Sequence, residues 1–296
     1  MAELKFGPTT VAQPVVCTAM HSFRGWTRPG PVPPGAAGPI DVQEGETLDY
    51  ISGHFRIFQL RDGHRFSTDD VLTAWYGTTW CPSAGNILDL GSGIGSLALI
   101  AAWRLPGARL VTVEAQEPSV ALARRSARFN GVDDRMDIRP GDFRAPGVIA
   151  DDERFDLVIG SPPYFPEHAG VHGDHPQKVA CRFELRGDIR DYCLIASRHL
   201  APGGFFACVF PLPDGQRQRI DEAWGAAGLT LVRERPVVFR EGADPLVGLF
   251  GFMLAGDLPE GAFDRPWVEP PLVIRTADGR VHPEYSAIKL AFGFPP

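Results

Sequence analysis

The sequence predicts an α/β fold, a mostly parallel sheet with helices on both of its faces. Three observations carry this expectation. Apolar runs of strand length alternate with stretches of helical length from about residue 86 onward, which is the spacing of βαβ units. The runs stop at glycine, at proline or at a single carboxylate, where a strand leaves its sheet. With 296 residues, 44% hydrophobic and 22% charged, the chain has the length and composition to bury a substantial core.

Taken in order, the first stretch with a pattern is Gly25 to Pro39, where nine of fifteen residues are glycine or proline. Such a segment reads as an extended arm. Residues 1–46 are therefore a Pro/Gly-rich N-terminal extension, and 47–296 the domain. Thr47 to Gln59 is amphipathic, and Asp62-Gly63 has the form of a hairpin-like turn. Ser67-Thr68-Asp69 ahead of Val71-Leu72-Thr73-Ala74-Trp75 is a capped helix start. Strands follow at Asn86 to Leu90, Ala108 to Glu114, Met136 to Arg139 and Phe155 to Gly160, with helices over Leu97 to Leu105 and Pro118 to Asn130. Pro202-Gly203-Gly204 turns the chain into the strand Phe205 to Phe210, and Thr230 to Phe239 and Leu246 to Leu254 bring the strands to seven. There is no internal repeat.

Composition narrows the function classes. No run approaches 18 uninterrupted apolar residues, and the N-terminus lacks the apolar core of a secretory signal. Cys17, Cys81, Cys181, Cys193 and Cys208 are scattered and form no C-x-x-C pair. That is the usage of a reducing compartment, with the cytoplasm as default, and it implies neither a disulfide framework nor a zinc site. The net charge of −7 opposes non-specific nucleic-acid binding. The positive charge is nearly all arginine, however, with clusters at Arg124-Arg125-Arg128, Arg182-Arg186-Arg190 and Arg217-Arg219 that suit either solvated helix faces or phosphate contacts.

In a parallel sheet, ligands collect at the carboxyl ends of the strands. The first strand ends Leu88-Asp89-Leu90-Gly91-Ser92-Gly93-Ile94-Gly95, a G-x-G-x-G loop distinct from the G-x-G-x-x-G of dinucleotide folds. The second ends in Glu114, a carboxylate that can accept from both hydroxyls of a ribose. The third is followed by Gly141-Asp142-Phe143, an acceptor for an adenine amine beside a ring to cover the base. With the glycine loop against a short zwitterionic tail, adenine, ribose and amino acid together describe S-adenosylmethionine. The fourth strand stops in Ser161-Pro162-Pro163-Tyr164. Neither proline donates an N–H, so the turn leaves carbonyl oxygens, a hydroxyl and an aromatic ring at a strand end, an inventory suited to a flat aromatic amine. Each feature alone also fits a turn, a cap or a surface charge; their order along four strand ends ties them together.

Read together, these residues resemble a class I S-adenosylmethionine-dependent methyltransferase. More narrowly they are similar to the bacterial tRNA (adenine-N6) methyltransferases that modify the base beside the anticodon of valine tRNA. Gly63-His64-Arg65-Phe66-Ser67-Thr68-Asp69 with Val71-Leu72 resembles that family's entry helix, Glu114-Ala115-Gln116 its E-x-Q, Cys181-Arg182-Phe183-Glu184 its A-R-H-E, and Asp278 to Tyr285 its C-terminal segment. The resemblance implies a Rossmann-like sheet of seven strands whose last is antiparallel. It also implies S-adenosylmethionine held by Asp89, Gly91, Gly93, Gly95, Glu114, Gln116, Asp142, Phe143, Arg65, Thr68 and Asp69, with no metal. Ser161, Pro162, Pro163 and Tyr164 would carry the chemistry, with Tyr164 stacking on the base and Arg182 meeting a phosphate or pairing with Glu184. Ser161 stands where adenine-N6 enzymes carry Asn or Asp, and His64 and Val281 replace aromatic residues. The acceptor is first adenine N6 in tRNA. Cytosine N4, whose enzymes share the Ser-Pro-Pro-Tyr motif, a protein glutamine or a small amine, and a non-catalytic cofactor binder are the alternatives. Phe165 to Lys178, with His168, His172, Asp174 and His175 among glycines and prolines, reads as a loop that closes over substrate.

Overall fold

The computed structural model of the chain describes residues 22–23, 25–166, 175–213, 215–261 and 265–296. Strands β1 (Ser22–Phe23) and β2 (Trp26–Thr27) pair within the N-terminal arm. A hairpin follows, β3 (Glu46–Ser52) and β4 (Phe55–Leu60), from the segment whose amphipathic pattern the sequence displays. The hairpin turns at Gly53-His54, where Ser52 pairs with Phe55, and not at Asp62-Gly63. Gly53 takes φ +48°, which glycine adopts freely. Asp62-Gly63 instead bends the chain from β4 towards helix α1 (Thr68–Trp80). At the start of α1 the Ser67 hydroxyl accepts from the Asp69 amide and Asp70 accepts from the Ser67 amide at 2.7 Å, a closed capping box.

From there strands and helices alternate as the sequence predicts: β5 (Asn86–Leu90), α2 (Ser96–Arg104), β6 (Arg109–Glu114), α3 (Glu117–Asn130), β7 (Met136–Pro140) and β8 (Phe155–Gly160). Next come α4 (Pro176–Arg182), α5 (Ile189–His199), β9 (Leu200–Pro211), α6 (Gln216–Ala226), β10 (Leu229–Val238) and β11 (Val247–Leu254). The short strands β12 (Trp267–Val268) and β13 (Leu272–Val273) and helix α7 (Pro283–Ala291) end the chain. The order across the sheet is β12-β10-β11-β9-β8-β5-β6-β7, with β13 also on β10. All seven predicted strands are in it, and β12 and β13 add a short outer edge. β5 to β9 are mutually parallel, and β11 runs antiparallel between β9 and β10. Pro202-Gly203-Gly204 does not precede β9 but lies inside it, in a bulge between the Phe155–Leu200 and Leu157–Phe205 pairs.

Alternate residues of each strand feed two cores. Ile87, Leu157, Ile159 and Ala207 meet α1, α2, α3, the hairpin and α7 on one face. Leu88, Val158, Phe206 and Cys208 meet α5 and α6 on the other. The arm lies against this body, with the Arg28 guanidinium 3.6 Å from the centre of the Tyr50 ring. At the far edge Arg233 of β10 is sandwiched between Trp80, 3.1 Å from the ring centre, and Trp267, at 4.0 Å. Because β5 has β6 on one side and β8 on the other, chain order reverses there. The carboxyl ends of β5 and β8 thus frame the crevice.

Candidate active site

A cavity of about 520 Å³ opens at these strand ends, within the size range of small-ligand sites. Its floor is the loop between β5 and α2. Gly91 and Gly93 have φ of +63° and +55°, a region other residues enter only with strain. They need glycine for different reasons. A Cβ on Gly91 would stand 2.1 Å from the Tyr192 hydroxyl of α5, whereas a Cβ on Gly93 would meet nothing within 4 Å and would occupy open space. Glu114, at the end of β6, binds the loop with its carboxylate. One oxygen accepts from the Gly93 amide at 2.9 Å and the other from the Gln116 amide at 2.6 Å. Burial pushes the Glu114 carboxyl up against these backbone donors.

The opposite wall is the Ser161-Pro162-Pro163-Tyr164 turn, which leaves β8 next to the glycine loop. The Tyr164 hydroxyl donates to Asp69 of α1 at 2.7 Å, its carbonyl accepts from Gln216 of α6 at 2.9 Å, and its ring stands edge-on to Phe210. The turn is thereby fixed to helices on both faces of the sheet. The Ser161 hydroxyl and the Pro162 carbonyl have no hydrogen-bond donor among the described residues, so both acceptors are free for a ligand. Asp69 lines the cavity too, its carboxyl raised by burial and held down by the Tyr164 bond. Asp70, which also lines the cavity, is buried and pushed up to about 7. Asp142 is shifted the other way: the Arg144 guanidinium at 2.6 Å holds its carboxyl below the usual range, so it stays an acceptor. Phe143 packs edge-on against Tyr192 at 4.9 Å between centroids.

Most of the sequence-predicted set is thus in one place: Gly91, Gly93, Glu114, Gln116, Asp142, Phe143, Asp69, Ser161, Pro162, Pro163, Tyr164 and Arg182 all line the cavity. Four do not. Asp89 is buried beneath the loop and accepts from the Ala98 amide at 3.2 Å, tying β5 to α2. Gly95 is the N-cap of α2 and abuts Ala123. Arg65 turns to the hairpin, donating to Asp49 at 2.8 Å and Thr47 at 2.9 Å. Thr68 opens α1 facing the Tyr285 hydroxyl of α7. Glu184 pairs with Arg219, so among the described residues Arg182 has no ion pair. His168, His172 and Asp174 lie outside the described residues, as does Cys17; His175 precedes α4 as its N-cap.

Sequence reasoning did not single out Tyr192, Asp70 or Ser96, which also line the cavity. A Cβ on Gly160, the last residue of β8, or on Gly91, just past the end of β5, would strike the Tyr192 side chain, a contact that only the folded structure reveals. Burial beside Glu114 pushes the Cys181 thiol up to about 12, which favours the protonated thiol. No helix among the described residues is long and apolar enough to cross a membrane.

Comparison with known proteins agrees with this geometry. Residues 75–184 match the methyltransferase small domain. Over 241 residues the chain is 31% identical to the tRNA1(Val) (adenine(37)-N6)-methyltransferase of Porphyromonas gingivalis strain W83, an alignment covering 78% of this chain and 89% of that protein. The protein of the same name from Escherichia fergusonii is 29% identical over 150 residues, 50% of this chain and 58% of that one. Among solved structures, the predicted O-methyltransferase Atu636 of Agrobacterium tumefaciens shares the fold with a TM-score of 0.57 at 19% identity, covering 77% of this chain and 98% of that one. The strand order and the cavity at its reversal are those of a class I, S-adenosylmethionine-dependent methyltransferase. Within that class, the chain belongs to the tRNA1(Val) (adenine(37)-N6)-methyltransferase family.

Proposed function

We propose that this enzyme methylates the exocyclic N6 amine of an adenine in tRNA, with S-adenosylmethionine as donor. One observation carries the reading: the turn with two free acceptors shares a cavity with the glycine loop and Glu114, so an amine and a methyl donor fit side by side. The residues fit that donor. The open space at Gly93 admits its backbone-sized approach, Glu114 remains an acceptor for ribose hydroxyls, and the Asp142 carboxylate beside Phe143 suits an adenine. Asp69 offers a carboxylate to an ammonium. When bound, the donor supplies a methyl group already activated by the positive sulfonium.

The chain's own residues supply position and hydrogen-bond acceptors. An aromatic amine is a poor nucleophile because its lone pair is delocalised into the ring. Ser161 and the Pro162 carbonyl accept hydrogen bonds from its two N–H groups in a geometry that favours the pyramidal nitrogen; as the N–CH3 bond forms and the S–CH3 bond breaks, one of those protons passes to solvent. Tyr164, held by Asp69 and Gln216, keeps that turn in place and offers a ring to the base. A loop of single-stranded RNA presents such a base at less unstacking cost than a duplex.

The test is methyl transfer to unmodified total tRNA, read by mass spectrometry of the nucleosides. N6-methyladenosine supports the reading, N4-methylcytidine moves the acceptor to cytosine, and no methylated nucleoside despite tight cofactor binding overturns both. Ser161→Ala removes one acceptor and is expected to slow turnover about tenfold, the scale of one hydrogen bond. Ser161→Asn restores a longer-reaching acceptor and is expected to keep or raise the rate on adenine.

A further inference from the structure

From Lys178 to Arg190 the chain crosses the rim of the cavity through α4, a short irregular stretch and the first turn of α5. Basic side chains recur there at every fourth residue: Lys178, Arg182, Arg186 and Arg190. The three arginines are exposed and Lys178 is half-buried, and among the described residues none of the four has a side-chain hydrogen bond or ion pair. The acids interleaved with them are engaged elsewhere. Glu184 pairs with Arg219 of α6. Asp188 caps α5 by accepting from the Asp191 amide at 3.1 Å, and Asp191 returns the bond at 3.2 Å while facing Arg144 at 3.4 Å. By contrast Arg65, Arg139 and Arg144 each hold a carboxylate within 2.8 Å.

An acidic molecule with net charge −7 therefore keeps four basic side chains with no hydrogen-bonded acid among the described residues beside the opening of its cavity; of these, Arg186 also acts at longer range on Glu114 and Asp142. Arg182 and Arg186 are part of the cavity wall, and Lys178 and Arg182 both bear on His64, which lines it too. On the same rim Phe165 is 47% exposed, its ring 5.8 Å from that of Phe183. Fixed positive charge next to an exposed aromatic surface is the pattern that tracks a nucleic-acid backbone and its unstacked bases.

We propose that Lys178, Arg182, Arg186 and Arg190 form a phosphate-binding strip that holds the RNA backbone on either side of the base entering the cavity. The inference rests on the tRNA reading above. It predicts that these four, and not exposed arginines elsewhere, release counterions when RNA binds.

The experiment measures the affinity of the full chain for unmodified tRNA between about 50 and 200 mM KCl. Each of Lys178→Ala, Arg182→Ala, Arg186→Ala and Arg190→Ala is expected to reduce the slope of log affinity against log salt by about 0.7 to 0.9. Arg198→Ala, at the other end of α5 and also exposed, is the control and is expected to leave the slope unchanged. S-adenosylhomocysteine affinity is expected to be unaltered in Lys178→Ala and Arg190→Ala, which separates lost RNA contact from a damaged site. An unchanged slope in all four variants overturns the strip, and so does a slope that falls equally in Arg198→Ala. Loss of poly-glutamate binding in the four variants with RNA binding intact overturns it in favour of an acidic protein partner. The slope is measurable whether or not N6-methyladenosine forms, so failure of the strip and failure of the proposed reaction are distinct results.

Discussion

Tyr192 shows how much of this site depends on one unremarked side chain. Its ring sits where a Cβ on Gly160 would come within 2.9 Å, and its hydroxyl where a Cβ on Gly91 would come within 2.1 Å. Gly91→Ala is therefore expected to weaken S-adenosylhomocysteine binding at least tenfold by calorimetry, since the alanine must both enter φ +63° and displace the tyrosine. Adding Tyr192→Phe removes the nearest atom and is expected to recover part of that loss, leaving the backbone strain of about 1 kcal/mol. Equal losses in single and double variants would exclude the tyrosine as the cause. The strand-end residues could be read together in the sequence because of their order along four strand ends; each alone fits a turn, a cap or a surface charge equally well. Arg65 and Thr68 were not, because a loop arginine close to a cap can turn either to the cavity or to the hairpin, and Asp49 decides it. Asp89 likewise looks like a ligand from its place in the motif, while in the fold one of its oxygens accepts from the Ala98 amide and the other has no partner among the described residues.

The entry helix α1 is where local and long-range demands meet. Its capping box places Asp70 in the core, and the cost appears as a carboxyl pushed up to about 7 by burial, with Asp69 adding to the rise. Folded protein thus holds a proton on Asp70 that the unfolded chain releases near pH 4. Stability from this group is complete below that pH and is lost as pH rises through about 7, at no more than about 1.4 kcal/mol per pH unit. Thermal melting is expected to fall between about pH 4 and 7 and to fall less in Asp70→Asn, where no proton need be held; equal pH profiles would remove Asp70 as the source. The cap and the helix were readable from Ser67-Thr68-Asp69 and the apolar run after it. α5 went unassigned although Ile189, Tyr192, Cys193 and Ala196 follow helical spacing, because Arg186-Gly187-Asp188 has to be seen as its cap first. β12 and β13 carry two residues each, below the length at which alternation has meaning, and only their pairing with β10 defines them.

Over the whole molecule, the two ends of the domain close on each other. The Gly53 amide of the β3–β4 turn donates to the Phe292 carbonyl at 3.3 Å, Phe292 is fully buried near Trp103, and Tyr285 of α7 reaches Thr68 at the mouth of α1. Removing residues 283–296 would strip Tyr285, Ile288 and Phe292 from the core. At about 1.5 to 3 kcal/mol for each large apolar side chain, this is expected to cost several kcal/mol. A truncated chain that melts at the temperature of the full one would refute the closure. The edge opposite the arm has a different use. Arg233 lies between Trp80 and Trp267, while none of the chain's six tryptophans lines the cavity. The part of the indole emission that comes from Trp80 and Trp267, read as the difference from a Trp267→Phe variant, is therefore an optical gauge of whether the outer strand stays docked on α1. Heating that frees β12 changes the colour and intensity of that signal, whereas filling the cavity leaves its fluorophores untouched.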